Sequence, residues 1–324
     1  LGPFGMHLLL PALPAIAAAF SARASAVQLL VSLALVAIAL GNLVVAPLSD
    51  RFGRRPVIMA GLWMFLAGSV AAALAPSLPL LVAARIVQAF GGGAAMAVAR
   101  ASIMDHFGPD RAASALAATA TAVLVVPLVA PTLGGFAVEA TNWRAPFALA
   151  VAIAAAALWF TWARTGETHA SAPAAGPAPR TLTSYRGLLA NPAYLAYVGF
   201  GGCMMGTVTV FVTSAPYVGI EVLGVSPGAY GLLFMLPAGA SLAGFFFTAR
   251  MARRLGGLRM MRMGTALSFA GACALLASMA VGATHPLALF VPGMMICGAN
   301  ALSAPNSTSG AIAAARDVAG AASG

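Results

Sequence analysis

The sequence predicts an all-α protein that crosses a membrane many times, built from two related helical bundles. Three observations carry this expectation. Of 324 residues, 61% are hydrophobic and only 7% charged, whereas a soluble domain carries roughly 25% charged residues. So few charges cannot cover a water-facing surface. Apolar windows long enough to span a bilayer, about 20 residues each, recur along the chain. Finally, the arginines alternate between the gaps that separate those windows.

The windows fall at about 1–20, 27–48, 57–76, 79–104, 112–137 and 145–164, then at about 192–216, 227–249, 260–282 and 285–314. That makes ten spans, the first incomplete. The chain opens inside an apolar run and closes on the small-residue stretch Ala319 to Gly324. It reads as a fragment that lacks part of its first span and everything after about the tenth.

Even-numbered gaps hold fourteen of the seventeen arginines; odd-numbered gaps hold two, Arg23 and Arg144, and Arg85 lies inside a span. Short cytoplasmic loops retain positive charge during insertion, so the even gaps are expected to be cytoplasmic, with the full-length protein's N-terminus on the same side. The net charge of +10 therefore points to membrane topology and not to nucleic acid. Partners are limited to the bilayer, a small molecule and protons, and the chain is expected to be monomeric.

The three cysteines (Cys203, Cys273, Cys297) sit singly in apolar runs and are expected to be small buried hydrophobes, with no disulfide or metal framework. The histidines (His7, His106, His169, His285) are scattered, and no Ser/His or His/Glu constellation suggests an intramembrane enzyme. No cofactor is implied.

Between about 165 and 191 the chain is polar and rich in Pro, Ala and Gly, which reads as a flexible cytoplasmic connector. It divides an N-terminal six-helix bundle (1–164) from a C-terminal bundle (192–324) with about four of six spans present. The halves echo one another. At a shift of 203 residues without gaps, Gly41, Arg51, Gly53 and Gly61 fall on Gly244, Arg254, Gly256 and Gly264, with Arg253 where Asp50 would stand. A weaker echo pairs the segment from Asp110 with that from Asp317. Duplication with both halves in the same orientation is the parallel repeat of one large transporter architecture.

Four motifs carry chemistry. The turn between spans two and three reads Ala46-Pro-Leu-Ser-Asp50-Arg51-Phe-Gly53-Arg54-Arg55-Pro56. Gly53 permits the tight turn; Asp50 is placed to face a helix N-terminus; Arg51, Arg54 and Arg55 can pair with it or with phospholipid headgroups. In span four, Arg85 lies well inside the membrane, where an arginine costs roughly 2.5–3.5 kcal/mol on insertion scales. It is expected to face a cavity or a partner, with Gln88 one turn further on the same face and Gly91-Gly92-Gly93 beyond. Span five carries Pro127, Pro131, Gly134 and Gly135, where prolines bend a helix and glycines let another approach. Span one contains Leu10-Pro11-Ala12-Leu13-Pro14.

The turn after span two resembles the loop 2–3 signature of the major facilitator superfamily, with Ala46 in place of the usual glycine. The resemblance covers essentially the whole chain. It implies the twelve-span facilitator fold, a conformational latch at Asp50, Arg51, Gly53, Arg54 and Arg55, and proton coupling at Arg85 with Gln88. Span five is similar to the motif that marks drug:proton antiporters, with Ala130 where that motif has glycine. Leu10 to Pro14, together with Ser214-Ala215-Pro216-Tyr217, resembles the Bcr/CflA drug-resistance group, which includes phenicol exporters. That group carries an aspartate where this chain has His7. Histidine titrates near neutral pH, so His7 is either the proton carrier or a polar residue without a coupling role.

The resemblance implies a proton-driven exporter of small hydrophobic drugs, such as phenicol-type antibiotics, in the bacterial inner membrane. The alternative is a transporter of a sugar, amino acid or siderophore on the same fold. Met204, Met205, Phe211, Tyr217, Phe234 and Met235 are candidates for soft, adaptable contacts in a substrate cavity. In the family the helix end addressed by Asp50 belongs to an eleventh span, so here Asp50 is expected to contact its own loop or solvent.

Overall fold

The computed structural model describes residues 1–164, 188 and 190–315, without the side chains at 46, 47, 50, 104 and 106–118. The helices are α1 (Gly2–Leu9), α2 (Leu13–Ala19), α3 (Ala24–Val27), α4 (Leu29–Phe52), α5 (Arg54–Ala73), α6 (Leu78–Ala140), α7 (Ala145–Arg164), α8 (Pro192–Pro216), α9 (Pro227–Leu255), α10 (Gly257–Ala280) and α11 (Leu287–Ala314). Among the described residues, ten helical stretches are long and apolar enough to cross a membrane. The unbroken helical assignment of α6 contains two of them, Leu78–Ile103 and Thr119–Ala140. Almost all of the connector, the segment after Ala315 and the echo between Asp110 and Asp317 lie outside the described residues and side chains.

Two compact units emerge. The first holds Leu1–Ala172 and Ile220–Leu232, the second Pro173–Gly219 and Leu233–Gly324. The division therefore runs through α9, whose first turns belong with the first unit.

Local chemistry explains where helices tighten. Pro11 has no N–H to offer the His7 carbonyl, and Pro14 none for Leu10. The turn Leu10–Ala12 closes into a 3-10 form in which Leu10 N–H reaches His7 O and Leu13 N–H reaches Leu10 O. Span one is thereby split into α1 and α2 while those carbonyls stay satisfied.

The first unit is organised around the start of α6, where Gly91, Gly92 and Gly93 step round the helix and meet three different neighbours. A Cβ on Gly91 would lie 2.5 Å from the Gly61 carbonyl oxygen of α5, one on Gly92 2.9 Å from Gly2 Cα of α1, and one on Gly93 2.7 Å from the Ile38 carbonyl oxygen of α4. Backbones this close leave room only for glycine. Behind them Leu8, Phe65, Ala130, Ala150 and Ala154 form a buried cluster.

In the second unit α11 packs against α8 and α10. It contains Pro292 and Pro305, which leave the carbonyls of Ala288 and Ala301 without their i+4 donors. Neighbouring helices replace both donors. Ser278 Oγ of α10 donates to Ala288 O at 3.0 Å, and Thr248 Oγ1 of α9 donates to Ala301 O at 3.1 Å. Hydroxyls thus repair the breaks in a medium that offers no water.

The 203-residue echo is visible in the backbone. Gly53 (φ 93°, ψ 154°) and Gly256 (φ 80°, ψ 148°) adopt the same conformation, one essentially closed to other residues. Gly61 sits where α5 crosses α6, and Gly264 where α10 crosses α11. One expectation is corrected: Cys203 and Cys273 are exposed on outward helix faces, and only Cys297 is buried. A small polarisable side chain is as compatible with lipid as with a core, so an apolar run does not say which way a cysteine points.

Candidate functional site

Seven residues past the start of α6, about 10 Å along its axis, Arg85 is 2% exposed and Gln88 fully buried. The spacing of three puts them on one face, and Arg85 Nη1 donates to Gln88 Oε1 at 2.5 Å. Arg85 Nη2 donates to the Gly5 carbonyl of α1 at 3.1 Å. Gln88 Nε2 donates to Ser69 Oγ of α5 at 2.7 Å, and Ser69 Oγ donates to Phe65 O at 2.7 Å. A chain of four hydrogen bonds therefore joins α1, α5 and α6 around a guanidinium.

Glycines make the approach possible. A Cβ on Gly5 would lie 3.4 Å from Arg85 Nη1, and one on Gly68 2.5 Å from Gln88 N. The partners described for Arg85 are neutral, so its charge is solvated by dipoles and not cancelled. Arg85 Nε and, two residues after Gly5, the buried His7 Nδ1 have no hydrogen-bond partner among the described residues. Ser69 and the Gly5 carbonyl carry no mark in the sequence. They belong to the site because other helices bring them there.

At the arginine-rich turn the three arginines do different things. Arg54 is 8% exposed; its Nε pairs with Asp105 Oδ2 of α6 at 2.8 Å, and its Nη1 bonds Ser49 Oγ. Arg55 Nη2 donates to Trp162 O at the end of α7, at 3.0 Å. Arg51 is exposed, its guanidinium 5.4 Å from the centre of the Phe52 ring. The Asp50 side chain lies outside the described residues. Asp105 is the residue sequence reasoning passed over. Its signal was present: an acid in an arginine-rich gap, at the end of the span that packs on α5.

The glycine pair of span five serves two neighbours. A Cβ on Gly134 would collide with the Leu8 carbonyl of α1, and one on Gly135 with the Pro227 carbonyl of α9. Pro131 faces Gly231 of α9 at the same crossing, four residues after Pro127.

The substrate-contact candidates differ in exposure and surroundings. Phe211 lines a largely apolar cavity of about 510 Å³ in the second unit, with Thr207, Ser214, Leu275, Met279 and Ile296. Met204 and Phe234 are buried, Met205 and Met235 are exposed, and Tyr217 begins a π-helical turn, Tyr217–Val222, that follows Pro216. The first unit has a cavity of about 520 Å³ bordered by Phe4, Leu62, Met96, Arg100, Val123 and Thr161. Among the described residues no His/Cys/Asp/Glu group is arranged to hold a metal.

Fold and site together define a multi-pass helical membrane protein with a polar, arginine-centred core. The chain matches the Major Facilitator Superfamily over residues 1–324 and belongs to that family. Among curated relatives it is 32% identical over 255 residues to Multidrug resistance protein D of Escherichia coli K12, covering 78% of this chain and 64% of the relative. It is 30% identical over 256 residues to the MFS-type transporter YdgK of Bacillus subtilis 168, covering 77% and 63%. Multidrug resistance protein MdtL of Escherichia fergusonii is 30% identical over 246 residues, covering 76% and 62%. The alignments thus span less than two thirds of these relatives' length.

Among solved structures, the xylose transporter XylE of E. coli superposes with a TM-score of 0.75 at 15% identity, covering 99% of this chain and 85% of XylE. A bacterial homologue of the lysosomal transporter Spinster gives 0.71 at 17%, covering 99% and 76%. These likenesses establish the facilitator fold.

Proposed function

We propose that the chain belongs to a proton-coupled exporter of small hydrophobic drugs, of the Bcr/CflA type, that works by alternating access in the bacterial inner membrane. The arginine-rich face is cytoplasmic in this reading, and the latch residues Asp50, Arg51, Gly53, Arg54 and Arg55 act there. The observation that carries the reading is the buried guanidinium of Arg85, held on neutral partners by the Gly5 carbonyl and Gln88, with His7 Nδ1 of the same α1 helix without a partner among the described residues. The names of the curated relatives support drugs as cargo, and phenicol-type antibiotics are the first to test.

Mechanistically, a fixed positive charge in a low-dielectric core raises the cost of a second one nearby. In this reading His7 takes up a proton only while water reaches span one. Alternating access supplies and removes that water, and so can couple a proton to the cycle. The drive is the proton gradient, without a cofactor, in a monomer.

The test is accumulation of a panel of labelled drugs in a pump-deficient host expressing the full reading frame. The reading expects lower accumulation, restored to the control level by a protonophore. Unchanged accumulation across the panel overturns it, and export indifferent to the pH gradient transfers the case to metabolite transport.

A further inference from the structure

The arginine-poor face carries an acid, Glu139, five residues before Arg144, and simple charge pairing would join them. The structure separates them. Arg144 stacks on Trp143 at 4.2 Å, and its Nε and Nη2 donate to Ala73 O and Ala75 O at 3.0 and 3.4 Å, closing the C-terminal end of α5. This is where a cation complements a helix dipole.

Glu139 sits in the last turn of α6, where the dipole of its own helix disfavours an anion. It turns to the start of α9 instead. Glu139 Oε2 accepts from Gly228 N–H at 2.9 Å and from Ser226 Oγ at 3.2 Å. Every donor at that helix start is then accounted for. Pro227 has none, Gly228 N–H goes to Glu139, Ala229 N–H goes to Ser226 Oγ at 3.3 Å, and Tyr230 N–H goes to Ser226 O at 2.8 Å. A Cβ at Gly228 would strike the Glu139 carboxylate and sit 2.9 Å from the Phe136 ring, so the carboxylate reaches the backbone only because residue 228 is glycine.

The contact continues down both helices. Gly135 abuts the Pro227 carbonyl, a Cβ on Gly231 would lie 2.6 Å from the Pro131 carbonyl oxygen, and Thr132 Oγ1 donates to Gly231 O at 3.0 Å. Glu139 thus closes the exposed end of a crossing in which the two backbones approach closely.

We propose that Glu139 and the Ser226–Gly228 start of α9 form a reversible clasp that keeps α6 and α9 together at the arginine-poor face and is released once per transport cycle. An anion held by backbone N–H groups suits such a device. When the helices part, water can solvate both the carboxylate and the exposed amides, so no unpaired buried charge is left behind. The clasp needs no partner cation, and Arg144 is committed to α5. The idea rests on the transport reading, but its test does not use transport.

The experiment uses the full-length protein in membranes with Cys203, Cys273 and Cys297 replaced by alanine and Thr132→Cys as a half-buried reporter in the crossing. Its rate of labelling by a membrane-impermeant maleimide is compared in Glu139, Glu139→Gln and Glu139→Ala backgrounds. Losing a charge-assisted cap is expected to raise the rate roughly tenfold in Glu139→Ala, with Glu139→Gln between. Ser226→Ala added to Glu139→Ala is expected to raise it no further, because both side chains serve one cap. Rates within about twofold of the parent for both Glu139 variants overturn the clasp. Faster labelling without any drug export retains the clasp and rejects the drug-export reading.

Discussion

The two halves of this molecule match Gly41, Gly53, Gly61 and Gly68 with Gly244, Gly256, Gly264 and Gly271, and differ in buried charge. Gly53 and Gly256 share one backbone conformation, and Gly61 and Gly264 share one role at a helix crossing. Yet at the same 203-residue shift, Ser69, Arg85 and Gln88 become Ala272, Ala288 and Val291, and Arg54 and Asp105 become Gly257 and Thr308. Among the described residues, the polar side chains buried in the second unit are neutral. Two of its hydroxyls repair proline breaks, at Thr248 and Ser278. Gly53 and Gly256 share a backbone conformation essentially closed to other residues, whereas a buried charge is costly and is retained only where something uses it. Among the described residues, the buried charged side chains lie in the first unit.

The largest expected effect breaks that asymmetry at its source. Arg85→Ala strips the donor from Gly5 O and Gln88 Oε1 together, and unsatisfied buried groups cost about 1–3 kcal/mol each. Drug export is expected to fall by at least about tenfold, as measured by efflux from preloaded cells, while expression persists. Arg85→Lys lacks the planar fork that reaches two acceptors at once and is expected to restore less than half of the lost activity, roughly speaking.

Next come the shared turns. Gly53→Ala and Gly256→Ala each force an L-residue into a forbidden region at about 1–3 kcal/mol. Thermal unfolding in detergent is expected to show similar losses for both; a much smaller loss at Gly256 would mean that the halves share sequence but not strain.

A smaller effect sharpens the neutral side. Thr248→Val removes the hydroxyl that serves Ala301 O and is expected to cost about 1 kcal/mol. In a Pro305→Ala background the helix regains its own N–H at that carbonyl, so the same substitution is expected to be nearly silent. Additive losses in this double-mutant cycle would show that the hydroxyl is not compensating for the proline.

Much of the fold was legible from sequence because its signals are local. Membrane-length apolar windows marked the ten membrane-length helical stretches found among the described residues, and the positions of Gly53 and Gly256 marked both turns. The spacing of three between Arg85 and Gln88 foretold their contact, since residues three apart share a helix face. What was not legible depends on other helices. Ser69 is an ordinary serine until α5 packs on α6, and Asp105 has no meaning without Arg54 beside it. Glu139 and Arg144 are close in sequence, yet each answers the end of a different helix. The candidate cavity residues were chosen by type, and type does not distinguish Met204, which is buried, from Met205, which is exposed.

The most direct test of the central claim, that one uncancelled arginine in the first half couples protons to cargo, is drug uptake into everted vesicles bearing the full-length protein under an imposed inside-acid gradient. The account predicts gradient-dependent uptake by the parent, none above background for Arg85→Ala, and parental uptake for Ala288→Ser, a polar change at the matching position of the second half. Gradient-driven uptake by Arg85→Ala equal to that of the parent would contradict it.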